Sequence, residues 1–308
     1  MRPSVRAFNL KVVLASTSLL ALPTYKAIKS SENEFLALIT KHEERSGRGK
    51  KIVENELATA LGNENVVRVK GNEDLASALK RLRPDVAIAI SFGLLIKPES
   101  LAIPIHGWIN LHFSLLPKFR GAAPVARAIL AGEKLSGITV FKLDSGMDTG
   151  PIYATKEMTC GSGTNGELLE RFAEAGSEEV LKALEMIENG ISPVPQTGPS
   201  SLAPKIDNAE TRLRLDQGVD EVLNCVRAFS PKPGAWCEFN GARIKILEAH
   251  LSDLTGDTFG EILSISPLVI ALGDGALEII KIQEAGKRLM SADEWTRGAR
   301  VRIGDRFA

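Results

Sequence analysis

The chain has 308 residues, of which 44% are hydrophobic and 25% are charged, which is the composition of an ordinary soluble protein with room for two domains. Lys plus Arg and Asp plus Glu both number 38, so the formal net charge is zero. This balance excludes binding of nucleic acid through overall charge, and any such contact must come from local basic patches.

The cysteines and the N-terminal segment indicate where the protein works. Cys160, Cys225 and Cys237 are an odd number without paired spacing, which predicts free thiols in a reducing compartment and no metal site. Basic residues before an apolar run superficially resemble a signal peptide, but Lys11 interrupts the run, and we interpret NLKVVLAS as a buried first strand. No stretch approaches the ~20 apolar residues of a membrane-spanning helix.

Short apolar runs alternate with helical patterns through the first half of the chain. The predicted strands are Leu10–Ala15, Phe35–Thr40, Val66–Val69, Val86–Ile90, Ile109–His112 and Thr139–Phe141. Between them, ENELATALG and EDLASALKRL have apolar residues at the three- and four-residue steps of amphipathic helices. This alternation predicts an α/β domain with a parallel sheet covered on both faces.

A long helix is predicted after the last of these strands. It begins at a capping box of Thr164 and Glu167, continues with apolar residues at helical spacing, and ends at a glycine. Residues 191–207 are rich in Pro, Ser and Gly, which is the composition of a linker. We predict that this linker joins a first domain, residues 1–190, to a second domain, residues 208–308.

The second predicted domain is mostly β. A short helix over Val219–Phe229 comes first, and a hairpin about Asn240-Gly241 follows it. A further pair of strands is predicted about Gly273-Asp274-Gly275. Short strands joined by tight turns predict a small barrel-like domain.

Polar residues gather at the ends of two predicted strands of the first domain. Asn110 and His112 alternate on one strand, so both side chains project from the same face, where an amide and an imidazole can hold an oxygen that gains negative charge. The loop LDSGMDTGP after the next strand carries Asp144 and Asp148. Because ligands of open α/β sheets bind at the carboxyl ends of strands, we expect one of these carboxylates to orient His112. Each element alone is commonly structural, so the prediction depends on the combination.

That combination resembles a known family. NLHFSLLPKFRGAAPV followed by GITVFKLDSGMDTGPI is similar to the folate-dependent formyltransferases, and the resemblance extends over nearly the whole chain. Within that superfamily, SGRGKK, VRAFSPKPGAW and EAGKRLMSADEWTRG most resemble segments of the methionyl-tRNA formyltransferases. The resemblance implies a Rossmann-like catalytic domain and a small β-barrel (OB-like) domain that binds tRNA. It also implies a cytoplasmic protein, and we take a monomer as the default.

The resemblance also implies a reaction. Such enzymes transfer the formyl group of 10-formyltetrahydrofolate to the α-amino group of methionyl initiator tRNA, for translation initiation. Amine attack creates a tetrahedral oxyanion, which Asn110 and His112 are expected to stabilise as the catalytic pair. His112 is expected to act as an acid toward the leaving nitrogen as well. Asp148 matches the third catalytic residue, with Asp144 as the second choice, and no metal is implied.

Two binding surfaces follow from the same resemblance. Apolar loops and their backbone groups are expected to hold the pterin of the folate, through Ile90, Phe92, Ser114, Leu115, Leu116 and Pro117. Basic residues are expected to contact the tRNA, namely Arg48, Lys50, Lys51, Lys205 and Lys287. From the residues alone, the first set is also typical of core packing and the basic run is also typical of a solvated loop.

Departures from the family pattern and alternative functions remain open at this point. Ala15-Ser16-Thr17-Ser18 replaces the usual Gly-Thr-Pro loop, and Phe92 stands where Tyr is common, so we expect altered substrate approach rather than altered chemistry.

A sister formyltransferase acting on an amino sugar or purine precursor would share the three catalytic residues, and a folate hydrolase is a related alternative. A nicotinamide-dependent enzyme is disfavoured because LASTSLLALP lacks the G-x-G-x-x-G spacing.

Overall fold

A computed structural model describes residues 9–42, 45–46, 51–52, 55–62 and 65–308, with only the backbone described for 45–46 and 51–52. The chain forms two compact units that are both discontinuous in sequence. The first unit comprises Met1–Gly121, Gly137–Met158 and Leu169–Leu202, and the second comprises Ala122–Ser136, Thr159–Leu168 and Ala203–Ala308. The domain boundaries predicted at residues 190 and 207 stay a prediction.

The first unit is built on a seven-stranded sheet in the order β5-β2-β1-β6-β7-β8-β9. The strands in chain order are β1 (Lys11–Ser16), β2 (Glu34–Lys41), β3 (Arg45–Ser46), β4 (Lys51–Ile52), β5 (Val66–Val69), β6 (Val86–Ile90), β7 (Trp108–His112), β8 (Leu135–Lys142) and β9 (Ile152–Thr159). Strands β5, β2, β1, β6 and β7 pair in parallel, and β8 pairs antiparallel with β7. Strands β3 and β4 form a separate two-stranded antiparallel sheet. The α/β fold class predicted from the sequence is confirmed.

Burial explains why the central strands were recognisable in the sequence. All five residues of β6 are buried, and so are the last five of the six residues of β1. Strands covered on both faces need such continuous apolar runs, because neither face meets water. The predicted strand Val86–Ile90 therefore matches β6 residue for residue.

The helices alternate with the strands and cover them. In chain order they are α1 (Leu22–Lys29), α2 (Glu56–Ala60), α3 (Asn72–Leu82), α4 (Pro98–Leu101), α5 (Pro124–Leu130), α6 (Asn165–Glu188), α7 (Val219–Phe229) and α8 (Ala292–Ala299), with 3₁₀ helices over Leu19–Ala21 and Asn208–Thr211. Helix α3 shows the principle: Leu75 and Leu79, four residues apart, pack into the core with Val13 of β1, while its ends carry acidic and basic residues that suit the helix dipole.

Helix α6 supports the strand that carries Asn110 and His112. The predicted capping box is present, because the Thr164 amide donates to Glu167 Oε2 at 2.8 Å and the Glu167 amide donates to Thr164 Oγ1 at 3.4 Å. Further along α6, an added Cβ on Gly176 would lie 2.5 Å from Leu111 Cδ2. The glycine therefore lets the helix approach Leu111 of β7 closely.

The second unit contains an antiparallel sheet in the order β10-β11-β14-β13-β12, with β15 paired to β14. Its strands are β10 (Ala235–Phe239), β11 (Ala242–Ser252), β12 (Ile262–Ile265), β13 (Leu268–Ala271), β14 (Ala276–Glu284) and β15 (Met290–Ser291). Asn240 and Gly241, with φ of 49° and 74°, form the two-residue turn of the first predicted hairpin. The second predicted hairpin joins β13 to β14.

Residues 305–308 join the two edges of this sheet. On the β10 side, the Glu238 amide donates to the Ala308 carbonyl at 2.7 Å, and the reverse bond is 2.8 Å long. On the β12 side, the Ile262 amide donates to the Asp305 carbonyl at 2.8 Å. The sheet therefore closes into a barrel, which confirms the predicted architecture and removes its exposed edges.

Cys160, Cys225 and Cys237 form no disulfide bond, and burial raises the pKa of Cys225 to about 11 and that of Cys237 to about 12. Within the part of the chain that the structure describes, no helix combines the length and the apolar character needed to cross a membrane.

Candidate active site

Strand β7 separates two polar side chains from an apolar one. Leu111 is buried against Gly176 of α6, so Asn110 and His112, which alternate with it, belong to the opposite face. His112 is only 5% exposed, whereas Asn110 is half-buried. The Asn110 carboxamide has no hydrogen-bond partner among the described residues, so its two N–H donors are available to a ligand.

The His112 ring is held through both of its nitrogens. Nε2 lies 2.8 Å from the Phe119 carbonyl oxygen, and because a carbonyl only accepts, this nitrogen carries the proton and donates. Nδ1 lies 3.7 Å from Asp148 Oδ2. The Phe141 ring packs edge-on against the imidazole with a centroid distance of 6.3 Å. In the neutral ring, Nδ1 is therefore the open basic atom, and it faces a carboxylate.

Burial sets the protonation of His112. Desolvation lowers the pKa of His112 below its usual 6.5, because the buried site disfavours the imidazolium. The Asp148 carboxylate and the Phe119 carbonyl act in the opposite direction and raise that pKa, but burial is the larger effect. His112 is consequently neutral near pH 7 and can accept a proton at Nδ1, where Asp148 would stabilise the resulting charge.

Asp148 reaches His112 by a path that the sequence did not indicate. Strand β8 is the neighbour of β7 in the sheet, but it runs antiparallel, and the Leu143 amide donates to the Trp108 carbonyl at the first residue of β7. The expectation that both groups follow carboxyl ends at one edge of the sheet is therefore wrong, because periodicity does not reveal strand direction. The intervening loop folds back, and Asp148, with a φ of 53° that aspartate tolerates, turns toward His112.

The two carboxylates of this loop have different partners. Asp148 Oδ2 accepts a hydrogen bond from the Gly121 amide at 2.8 Å. Asp144 Oδ1 accepts from the Gly146 amide at 2.9 Å and from Thr149 Oγ1 at 2.7 Å, and so closes its own loop. Asp148 is thus the carboxylate beside the imidazole, and Asp144 shapes the turn that presents it.

Sequence reasoning missed the backbone groups that hold this pair. The Phe119 carbonyl and the Gly121 amide bind His112 and Asp148, respectively. Phe119 has a φ of 58°, which is unusual for a residue with a large side chain. Asp148 also has a positive φ, so two residues with unusual backbone conformations contribute to this site. Backbone groups leave no residue-type signal, and only the nearby Arg120-Gly121 pair marked the turn.

Gly150 gives the first testable prediction. An added Cβ at Gly150 would lie 1.8 Å from the Lys142 carbonyl oxygen, and a backbone atom cannot move aside as a flexible side chain can. We expect Gly150→Ala to displace the loop of Asp148 and to lower the free energy of unfolding by about 1–3 kcal/mol, measured by chemical denaturation. Gly71→Ala is the control, since its Cβ meets no atom within 4 Å. Equal stability of the two variants would contradict this account of the loop.

Comparison with known proteins bears on the chemistry of this site. The sequence pattern of the family described as "Formyl transferase" matches residues 10–184, and that of "Formyl transferase, C-terminal domain" matches residues 205–300. The chain belongs to the formyltransferase family. The resemblance predicted from the NLHFSLLP and LDSGMDTGP segments is confirmed.

Curated relatives in this family match the chain over almost its full length. The methionyl-tRNA formyltransferase of Salinispora tropica is 37% identical over 312 residues, covering 97% of this chain and 100% of the relative. That of Rhodococcus erythropolis is 38% identical over 301 residues, covering 95% and 98%. Both coverages include the two units, so the similarity is not confined to the sheet that carries the site.

Two solved structures share the fold at lower sequence identity. Methionyl-tRNA formyltransferase from Clostridium thermocellum superposes with a TM-score of 0.60 at 17% identity, covering 79% of this chain and 94% of that one. HypX from Aquifex aeolicus in complex with tetrahydrofolic acid gives a TM-score of 0.72 at 20% identity, covering 94% and 47%. At these identities the comparison establishes the fold alone.

The residues expected to hold the pterin are mostly engaged within the first unit. Phe92 is 5% exposed in the hydrophobic core with Trp108, and Ile90 is fully buried at the end of β6. Ser114 Oγ donates to the Lys118 carbonyl at 2.6 Å. Any contact of these three with a ligand would have to use backbone atoms. Leu115 and Pro117 are half-buried and Leu116 is buried, and folate binding by all six residues stays a prediction.

The residues expected to contact tRNA are only partly described. Arg48 and Lys50 lie outside the described residues, and Lys51 is described only as backbone of β4. In the second unit, Lys205 is exposed, whereas Lys287 Nζ pairs with Glu284 Oε1 at 2.9 Å, which offsets part of its charge. Their role in tRNA binding stays a prediction.

The groups that this candidate site offers are a carboxamide, a neutral imidazole and a carboxylate. Among the residues that the structure describes, no group of three or more His, Cys, Asp and Glu side chains is arranged to hold a metal ion. In this arrangement, Asn110 can donate hydrogen bonds to a developing negative charge, and Nδ1 of His112, beside Asp148, can accept a proton close by.

Proposed function

We propose that the protein transfers the formyl group of 10-formyltetrahydrofolate to the α-amino group of methionine on initiator tRNA. One observation carries this proposal: Asn110 and His112 share a face of β7 with Asp148 beside the imidazole, in a chain that is 37% identical to a methionyl-tRNA formyltransferase over 97% of its length. The alternative of an amino-sugar or purine-precursor formyltransferase has less support, because the curated relatives share both units.

Asn110 supplies the donor for the charge that develops in this reaction. The folate supplies the formyl carbon, and amine attack shifts negative charge to the formyl oxygen. A carboxamide that is half-buried and without a hydrogen-bond partner among the described residues needs no hydrogen bond broken before it donates. Removal of one oxyanion donor typically costs about 3–4 kcal/mol of transition-state stabilisation.

His112 and Asp148 account for the proton. Across the reaction the methionyl amine loses one proton and the nitrogen that releases the formyl group gains one. His112, kept neutral by burial, accepts a proton at Nδ1, and Asp148 at 3.7 Å stabilises the imidazolium until the proton is passed on. The Phe119 carbonyl keeps the other nitrogen protonated and the ring fixed.

Two loops at one edge of the first unit support folate binding there. Strands β6 and β7 are parallel neighbours, so the segments that follow them leave the sheet at the edge where His112 lies. In the segment after β6, Leu95 is 85% exposed, although Phe92 is buried. An apolar surface beside polar backbone groups fits a planar pterin ring, which we place against residues 90–96 and 114–117.

The tRNA is assigned to basic residues of the predicted loop at 46–51 and of the barrel. Arg48, Lys50 and Lys51 would contact phosphates near the acceptor end, and Lys205 and Lys287 would contact backbone elsewhere on the tRNA. The net charge of the chain is zero, so the attraction for tRNA must come from these few local contacts. Since contacts between basic side chains and phosphates are screened by salt, we expect tRNA binding to weaken as the salt concentration rises. We further propose a cytoplasmic monomer.

The decisive experiment measures the product directly. Purified protein is incubated with methionyl initiator tRNA, with and without 10-formyltetrahydrofolate, and formyl-methionyl-tRNA is resolved by acid gel or mass spectrometry. We expect folate-dependent formylation, and no product with a nucleotide-linked amino sugar. Formylation of the sugar in preference to the tRNA, or no formyl transfer to the tRNA, would refute the proposal.

A further inference from the structure

A segment of predicted linker composition contacts both loops that hold His112. We call residues 194–202 the bracing segment. It is anchored to β9, because Val194 and Ile152 exchange backbone hydrogen bonds of 2.7 and 2.8 Å. The segment belongs to the first unit, and most of it is exposed to solvent. Gln196, in contrast, is half-buried, which is notable for a polar side chain in an exposed run.

Gln196 is bound to the loop that carries Asp148. Its Nε2 donates to the carbonyl oxygens of Asp148 and Gly150, both at 2.8 Å. Its Oε1 accepts from Arg120 at 3.2 Å (Nε) and 2.6 Å (Nη2). Both amide hydrogens and the amide oxygen are therefore used, and a charged donor strengthens the set. The Gln196 side chain therefore binds the backbone of Asp148, while the Asp148 carboxylate binds the Gly121 amide and lies beside His112.

The other end of the bracing segment is bound to the loop that follows β7. Ser201 Oγ accepts from the Phe119 amide at 2.9 Å, and the Ser201 carbonyl accepts from the Arg120 amide at 2.9 Å. The Ser201 amide donates to the Pro117 carbonyl at 3.3 Å. Phe119 in turn accepts the hydrogen bond of His112 Nε2. The bracing segment thus binds both partners of the His112 ring, namely Phe119 at Nε2 and Asp148 at Nδ1.

We infer that the bracing segment sets the geometry of His112 and Asp148, and that Gln196 is a positioning residue for formyl transfer. Gln196 acts through Asp148, whose distance to His112 Nδ1 depends on where the loop backbone lies. Small displacements of catalytic groups have large kinetic effects, and residues that support them commonly matter by 10- to 100-fold. The kinetic part of this inference rests on the proposed function, but the geometric part does not.

Two substitutions separate positioning from simple attachment. Gln196→Ala removes the donors and the acceptor, whereas Gln196→Glu keeps the size and the acceptor for Arg120 but places an oxygen against the two carbonyl oxygens. Asn189→Ala is the matched control, since its carboxamide also donates to a backbone carbonyl, that of Glu185 at 2.8 Å.

The first measurement uses the free protein and needs no substrate. The chain has four histidines, so the pKa of His112 can be followed by NMR after ring labelling. Because the Asp148 carboxylate raises the pKa of His112, movement of that carboxylate should lower it further. We expect a lower His112 pKa in Gln196→Ala, which adds no charge, and an unchanged value in Asn189→Ala. An unchanged pKa in folded Gln196→Ala would overturn the inference.

The second measurement is kinetic. We expect both Gln196 variants to lower kcat by about 10- to 100-fold while KM for each substrate changes by no more than about 2-fold. A purely structural role would lower the melting temperature and leave kcat of the folded protein near the wild-type value, which would also overturn the inference. If the wild-type protein transfers no formyl group, only the proposed function fails, and the NMR result decides the inference by itself.

Discussion

Replacing His112 with alanine is expected to lower kcat for formyl transfer by at least ~10³-fold. The substitution removes the imidazole whose basic nitrogen faces a carboxylate, and in the proposed reaction it leaves the proton of the attacking amine without its acceptor. KM should change little, because the His112 ring is 5% exposed and contributes little binding surface. Single-turnover formation of formyl-methionyl-tRNA, with folding checked by circular dichroism, measures this effect.

The pH profile of the wild-type protein also tests the role of His112. Burial lowers the pKa of His112 below 6.5, and the neutral form is the one that accepts a proton. The acid limb of kcat/KM should therefore lie below pH 6.5, with activity lost as pH falls through that pKa. His106→Ala is the control for loss of a histidine in the same unit. The hydrogen bond of His106 to the Asp85 carbonyl uses the backbone amide, which the substitution keeps. A His112→Ala variant within tenfold of the wild type would contradict the assignment.

Replacing Asp148 with alanine is the second change with a large expected effect, again at least ~10³-fold in kcat. Without the carboxylate, the imidazolium that forms at Nδ1 has no counter-charge in a buried site, and the Gly121 amide loses its acceptor. Asp148→Asn keeps the size and should lower the His112 pKa, because the effect that raises it is electrostatic.

Asp144 provides the matched comparison on the same loop. Its carboxylate binds Gly146 and Thr149 rather than His112, so Asp144→Ala should reduce kcat by no more than about tenfold through loosening of the loop. Steady-state kinetics of the two variants, measured side by side, decide between the carboxylates. A full-rate Asp148→Ala with an inactive Asp144→Ala would transfer the role to Asp144.

Much of the fold was readable from the sequence because burial on both faces leaves a strong pattern. The predicted strand at Val86–Ile90 and the predicted helix at Val219–Phe229 match the observed elements. Strand β9, in contrast, was not predicted, because no residue of this edge strand is fully buried and its sequence lacks a continuous apolar run. The closure of the barrel by residues 305–308 was missed as well, since it depends on backbone hydrogen bonds to two distant strands.

The candidate site was predictable only where side chains carry the signal. Alternation along β7 brought Asn110 and His112 to one face, and family resemblance selected Asp148 over Asp144. The antiparallel direction of β8 and the Phe119 carbonyl could not be read from residue types. The role of Gln196 could not be predicted for a related reason. Its neighbours in the sequence are rich in Pro, Ser and Gly and predict a linker, whereas the hydrogen bonds of its side chain hold the loop of Asp148.

The central claim is that His112 and Asp148 act as one unit, and a double-mutant cycle tests it most directly. Single-turnover rates of formyl transfer are compared for the wild type, His112→Ala, Asp148→Ala and the double variant. Because a carboxylate that serves only the imidazole has nothing left to do once the ring is gone, the double variant should be within about 3-fold of His112→Ala. Multiplication of the two single losses in the double variant would show that the residues act independently and would contradict the account.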